Sequence, residues 1–491
     1  MSRKNNRTSP LEMSPEEFRQ QGYKMIDTLA DYLENISNYP VTPGESPQQV
    51  RKLLQEIPFP EEGESVDDIL SQSSELLIKH SLFNGHPRFW GFITSSAAPA
   101  GALADLLASS INPNVGGWWI SPMATEIELQ TIDWIARLLG FPTPCGGIMV
   151  SGGNMANIVP FYAARRKAGG EQLRSQGVAT QKLVAYASRE THTWIEKAAD
   201  LSGLGTDSIR WIDVDDSLRM DIHKLKEKLK EDKANGYTPF LIVGTGGSVS
   251  TGAIDPLHEL RRICDEENIW FHVDGAYGAP AAILPTGNED LKGLKYADSV
   301  AVDPHKWLYA PIEAGCVLVK DPKLLSDAFS FHPPYYPDAD HSEEAPVMFF
   351  ERGPQNTRGF RALKVWTGIR QAGRAGYIRM IGDDINLAKQ LFESAKMHHD
   401  LEAFTQGLSI TTFRYNPVDK NFNEEQLNRL NKALVDQLQQ EGKVFLTHAV
   451  IKGTFVLRAC IVNFRTNDED ITFLIEETLR VGRIMSDKVQ E

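Results

Sequence analysis

The chain has 491 residues, 41% of them hydrophobic and 24% charged, with a formal net charge of −14. That balance belongs to a folded globular protein, long enough for one large domain with smaller terminal pieces, and excludes a disordered or fibrous chain. An acidic chain without long Lys/Arg tracts also speaks against nucleic acid as a partner, and no apolar run suits a membrane span, since the stretch around 95–111 is interrupted by Asp105.

The N-terminal MSRKNNRTSP leads into LEMSPEEF with no apolar run behind it, so a secretory signal is not expected and the protein reads as cytoplasmic. SPEEFRQQGYKMIDTLADYLENI opens with a helix-start signal, and the break YPVTPGESP separates it from a second helical segment. These residues predict an N-terminal helical arm over 1–95. In TEIELQTIDWIARLLG, Ile127, Ile132, Ile135, Leu138 and Leu139 share one helical face, which ends at Gly140.

Beyond residue 145, β-branched runs alternate with helical stretches: LVAYAS at 183–188, FLIVGT at 240–245, IWFHVDGA at 269–276, SVAVDPH at 299–305 and CVLVK at 316–320. This alternation predicts a mostly parallel sheet covered by helices on both faces, in a large α/β domain over 96–385. Asp255-Pro256 reads as the N-cap and first residue of the helix LHELRRICDEEN. From 386 to 491 the pattern turns to α+β, with FLTHAVIKGTFVLRACIVNF as paired strands in a small C-terminal domain. Cys145, Cys264, Cys316 and Cys460 are far apart and form no CxxC pair, so they read as reduced fillers and no metal site is expected.

Ligands of open α/β sheets bind beyond the carboxyl ends of the strands. His192, Thr245, Asp274 and the His305-Lys306 pair all fall at such ends. A lone lysine is more often a solvated surface residue. In DPHKWLYAP, however, Lys306 stands between His305 and Trp307 at the end of an apolar strand, where partial desolvation favours a nucleophilic amine able to form Schiff bases. Asp274, preceded by Trp270, Phe271 and Val273, needs a cationic partner: either a core arginine or a protonated pyridine nitrogen, which pairing with a carboxylate keeps charged as an electron sink. Lysine and strand-end aspartate together suggest pyridoxal phosphate. VSGGNMANIV at 150–159 offers a phosphate cradle, its glycines allowing close backbone approach at a helix start near Asn154. A plain strand-to-helix connection would look the same.

With these residues in hand, the chain resembles a group II pyridoxal-phosphate-dependent amino-acid decarboxylase, and most of all the aromatic-L-amino-acid decarboxylases, from about residue 12 nearly to the end. The resemblance is carried by DPHKW, HVDGAYG, THTWIEKA, HPRFWGF, SPMATEIE and GFRALKVW. It implies the fold of PLP-dependent transferases (fold type I) and a homodimer with the active site at the subunit interface. It also implies that Lys306 carries the cofactor covalently, that Asp274 meets its ring nitrogen, and that His192 and Ala276 cover the two ring faces. Gly153 and Asn154 would bind phosphate with Asp303 and His305 nearby, and Thr357 would reach the phosphate of the partner subunit. Tyr335, or Tyr336 beside it, matches the mobile-loop proton donor. Phe92, Ser95 and Trp307 match the side-chain pocket, with Trp118 and Trp119 contributed across the dimer.

Two departures are present: Gly247-Ser248-Val249 where relatives often carry Gly-Thr-Thr, and Gly-Gly-Asn in the phosphate loop where animal relatives carry Ser-Ala-Ser. The resemblance thus implies conversion of an aromatic L-amino acid (tyrosine, tryptophan, DOPA or phenylalanine) to its amine and CO₂. An acidic-amino-acid decarboxylase, for which Arg88 is the candidate contact, an aromatic aldehyde synthase and a non-catalytic metabolite-binding scaffold are the alternatives.

Overall fold

The computed structural model describes residues 9–178, 181–331 and 346–490. Three helices, Pro15–Asn35, Pro47–Gln55 and Val66–His80, form the N-terminal arm. Ser14 accepts from Glu17 N at the first start, and Ser46 and Gln49 form a capping box at the second. The Pro122–Leu139 helix buries Ile132, Ile135, Leu138 and Leu139 and stops at Gly140 in the left-handed conformation, as its periodicity predicts.

The central sheet has seven strands: β1 (Gly146–Val150), β2 (Leu183–Ser188), β3 (Ile209–Ile212), β4 (Thr238–Thr245), β5 (Trp270–Asp274), β6 (Ser299–Val302) and β7 (Gly315–Val319). Their spatial order is β1-β7-β6-β5-β4-β2-β3. The run from β3 to β6 is parallel, whereas β7 is antiparallel to both β1 and β6. Strands β1, β2, β5, β6 and β7 are buried along their whole length, which explains why they read as continuous apolar runs. The mostly parallel sheet is therefore as expected. β1 and β3 add to the expected strands; GGIMV and IRWI are too short and too weakly patterned to stand out.

Four further strands, β8 (Leu401–Gly407), β9 (Ile410–Tyr415), β10 (Thr447–Ile451) and β11 (Thr454–Cys460), make an antiparallel sheet ordered β10-β11-β9-β8. The Glu424–Glu441 and Asp468–Gln490 helices accompany it. The long Ala362–Met397 helix, interrupted at Gly373 (φ 62°), packs Val365, Ile369, Tyr377 and Ile381 into the core of the large sheet and Leu387, Ala388, Leu391 and Ala395 into that of the small one. It links two hydrophobic cores.

One local expectation is corrected. The helix after Asp255 runs Leu257–Glu267 with Pro256 at its cap position and no side-chain cap. The Asp255 carboxylate turns inward instead, accepting from Met220 N at 2.7 Å and Thr245 N at 2.8 Å. Complete burial raises its pKa to about 6.

Candidate active site

The strand ends β1, β2, β4, β5 and β6 open onto one cavity of about 330 Å³. Its walls include Ser151–Asn154 after β1, Glu190 and His192 after β2, Thr245 and Gly247 at the end of β4, Asp274 and Ala276 at the end of β5, and Asp303, His305 and Lys306 after β6. Parallel strands deliver their carboxyl ends to one edge, so residues more than 150 positions apart converge.

Lys306 Nζ lies 3.0 Å from Asp303 Oδ2, and His305 Nε2 lies 3.8 Å from the same oxygen. His305 Nδ1 sits against the Ala314 backbone, 2.7 Å from its O and 3.1 Å from its N, which turns the other ring nitrogen toward Asp303. Asp303 is 1% exposed, and its Oδ1 is buried without a hydrogen-bond partner. Asp274 Oδ2 accepts from Trp194 Nε1 at 2.8 Å and its Oδ1 from Ala276 N at 3.2 Å. Among the described residues no lysine or arginine pairs with this buried carboxylate. His192 Nδ1 accepts from Trp194 N at 3.2 Å. Burial of its inner side lowers the imidazole pKa; the Asp274 carboxylate opposes this and the Lys306 ammonium reinforces it.

The Gly153–Gly169 helix begins behind Gly152, whose φ of 150° with extended ψ is a glycine conformation. No side chain caps this helix, so its first N–H groups are left for an anion. Space is tight on both sides: a Cβ on Gly153 would stand 2.5 Å from Asp303 Oδ2, and one on Gly315 would stand 2.7 Å from the Gly152 backbone.

These residues fit pyridoxal phosphate. A buried carboxylate unpaired with lysine or arginine among the described residues suits a protonated ring nitrogen, an uncapped helix start suits a phosphate, and an amine lies on the same cavity wall. The chain matches the pyridoxal-dependent decarboxylase conserved domain over residues 47–416. It belongs to that family. The protein is a pyridoxal-phosphate-dependent carboxy-lyase. It is 34% identical to an aromatic-L-amino-acid decarboxylase of Bacillus atrophaeus over 94% of each chain, and 31% identical to a phenylacetaldehyde synthase of Petunia hybrida over 91% of each. Among solved structures it resembles Catharanthus roseus tryptophan decarboxylase in complex with L-tryptophan, with a TM-score of 0.87 and 30% identity over 98% of this chain and 100% of that one.

The cavity thus brings together Lys306, His192, Asp274, Ala276, Gly153, Asn154, Asp303 and His305. The expected side-chain pocket is another matter. Trp307 is fully buried and does not line the cavity of this chain: consecutive side chains diverge, so with Lys306 facing the cavity the indole turns into the core, stacks on Tyr277 at 5.0 Å and donates to Asp384 Oδ2 at 2.8 Å. Ser95 lies behind the lysine segment, donating to His305 O at 2.9 Å. Phe92 is 55% exposed, in a left-handed backbone conformation beside Phe445. Thr357 is exposed and away from this chain's own cavity, and Tyr335 and Tyr336 lie outside the described residues.

Arg88 is committed elsewhere, its Nε donating to Asp470 Oδ1 at 2.9 Å and its guanidinium lying 3.8 Å over the Phe473 ring. Sequence reasoning missed Trp194, the donor to Asp274 80 positions away, and Glu190, which accepts from Ser250 Oγ at the rim. The tryptophan two residues after His192 was a usable signal for the first. Glu190 had none.

Proposed function

We propose that this decarboxylase converts an aromatic L-amino acid to its amine and CO₂, as a cytoplasmic homodimer with each active site at the subunit interface. The observation that carries the site assignment is the pairing of Lys306 and an otherwise cation-free Asp274 on one cavity. Lys306 holds the cofactor covalently and is oriented by Asp303; Asp274 keeps the ring nitrogen protonated; the Gly153–Asn154 helix start holds the phosphate with His305 nearby; His192 and Ala276 cover the ring faces. The chemistry supplied by bound pyridoxal phosphate is that of an electron sink for the pair left when the Cα–carboxylate bond breaks. His192, or Tyr335 by its resemblance to the family's proton donor, would return a proton to Cα, replacing the lost CO₂. Holding the carboxylate perpendicular to the ring is the task of the cavity walls.

Support for the aromatic substrate comes from the engagement of Arg88 by Asp470, from the absence of arginine among the described lining residues, and from the relatives named above. The acidic-substrate reading has one point of attachment: Arg458, buried behind Val249, donates to Val249 O and Phe92 O yet leaves Nη2 unpartnered. Support for the dimer comes from the Pro15–Asn35 helix, which buries no residue and exposes Phe18, Tyr23, Ile26 and Leu29, and from the exposed Thr357. Among the described residues no helix is long and apolar enough to cross a membrane.

Assaying CO₂ release across tyrosine, tryptophan, DOPA, phenylalanine, histidine and glutamate tests the reading. Turnover of aromatic substrates with stoichiometric amine is expected. Turnover of glutamate alone contradicts the substrate class, and aldehyde with ammonia and oxygen uptake contradicts the reaction.

A further inference from the structure

Behind the cavity lies a set of buried polar side chains that the proposed chemistry leaves unused. His272 on β5 is completely buried, as are Ser299 on β6 and Asn157 on the Gly153–Gly169 helix. His272 Nε2 lies 2.7 Å from Asn157 Oδ1, and its Nδ1 lies 2.8 Å from Ser299 Oγ. Ser299 Oγ also accepts from Trp270 Nε1 at 2.8 Å, and Asn157 Nδ2 donates to Gly153 O at 2.8 Å.

With the imidazole neutral, only one arrangement of protons satisfies all of these bonds. Because Gly153 O accepts only, the Asn157 amide must present Nδ2 to it and Oδ1 to the imidazole. The imidazole therefore carries its proton on Nε2 and accepts on Nδ1 from the Ser299 hydroxyl, whose oxygen takes the Trp270 N–H. A flipped amide would set two acceptors against each other. Burial lowers the His272 pKa to about 4, so the ring stays neutral at ordinary pH, in keeping with this single-proton scheme.

The ends of this chain of bonds matter. Gly153 begins the helix whose free N–H groups face the cavity, and Asn157 itself lines that cavity. His272 stands two residues before Asp274, on the same face of β5. Trp194, the donor to Asp274, meets the His272 ring edge-on at 5.8 Å. The anion cradle and the Asp274 carboxylate, both on the cavity wall, are thus tied to one strand.

We propose that His272 is a positioning residue, which as the neutral Nε2–H tautomer clamps the first turn of the Gly153–Gly169 helix to β5 through Asn157. The clamp fixes the phosphate cradle at the separation from Asp274 that a phosphorylated pyridine needs. This inference rests on the cavity holding pyridoxal phosphate as proposed above.

The test compares two aldehydes on the full-length protein after its cofactor has been removed: pyridoxal phosphate, and pyridoxal, which lacks the phosphate. Dissociation constants are read by absorbance for the unaltered protein, Asn157→Leu and His272→Gln. Asn157→Leu removes both bonds of the clamp, so it is expected to weaken pyridoxal phosphate by about tenfold while pyridoxal changes by less than about twofold. His272→Gln keeps an N–H donor toward Asn157 and is expected to stay within about threefold of the unaltered protein for both. Equal weakening of the two aldehydes, or no weakening of either, overturns the clamp. Failure of the unaltered protein to bind either aldehyde overturns the cofactor site beneath it. Should Asn157→Leu not fold, Asn157→Ala provides the same comparison.

Discussion

A methyl group added to Gly153 would collide with Asp303 Oδ2, the oxygen that pairs with Lys306. Neither neighbour has room to give, because Asp303 is buried at the end of β6 and the Gly153 backbone opens a helix. Gly153→Ala is therefore expected to weaken pyridoxal phosphate binding by about tenfold or more and to lower the melting temperature as well, since overpacking a tight site costs about 1–3 kcal/mol. Titration of the cofactor into the variant checks this, and unchanged affinity would contradict the cradle. Much of the site was legible residue by residue. His192, Asp274, Asp303 and Lys306 follow β-branched runs that mark strand ends, and strand ends of such sheets converge. The Asn157–His272 clamp and the inward turn of Trp307 were not, because each depends on a partner 77 or 115 positions away that no local pattern announces.

At the scale of elements, the segment that carries Thr357 is fastened by its neighbour. Arg358 Nη2 donates to Glu128 Oε1 and Met149 O, both at 2.5 Å, and its Nη1 donates to Val115 O at 2.7 Å. Glu128 is fully buried and also accepts from Met149 N at 2.9 Å. Burial pushes its carboxyl pKa up, and the Arg358 guanidinium opposes that rise. Removing one partner strands the other, so Arg358→Met is expected to cost about 3–5 kcal/mol, and Glu128→Leu with Arg358→Met to recover much of it. Urea unfolding of the single and double variants reads both numbers. The elements themselves were largely legible: the helix ending at Gly140, the strands β2, β4, β5, β6 and β7, and the β10–β11 pair all carry strong periodic or β-branched signals. β8 and β9 escaped because LEAFTQG and ITTFRY mix polar and apolar residues, although ITTFRY is buried at every position.

At the scale of the whole molecule, stability responds to pH through groups buried in the wrong charge state for water. His272 titrates near 4 in the folded chain against 6.5 when unfolded. As pH falls below 6.5 the unfolded chain takes up this proton and the folded chain does not, so the stabilisation is complete above 6.5 and is lost on the way down to about 4. The amount at stake is roughly 3 kcal/mol. Comparing unaltered protein with His272→Gln by urea unfolding between pH 7 and 4 should show the stability gap between them narrowing or reversing as pH falls. Parallel curves would contradict a neutral, buried His272. Asp384 works in the opposite sense: burial raises its carboxyl pKa to about 7, so the folded chain retains a proton that the unfolded chain has already released. The comparison with a single variant isolates His272 from that opposing contribution.

The central claim is that Lys306 carries the cofactor while Asp274 faces it from β5. Borohydride reduction of the cofactor-loaded protein, followed by proteolysis and mass spectrometry, tests it most directly. A pyridoxyl group on the peptide containing Lys306, absent in Lys306→Ala, is the predicted result; a pyridoxyl group on another lysine, or none at all, would contradict the account.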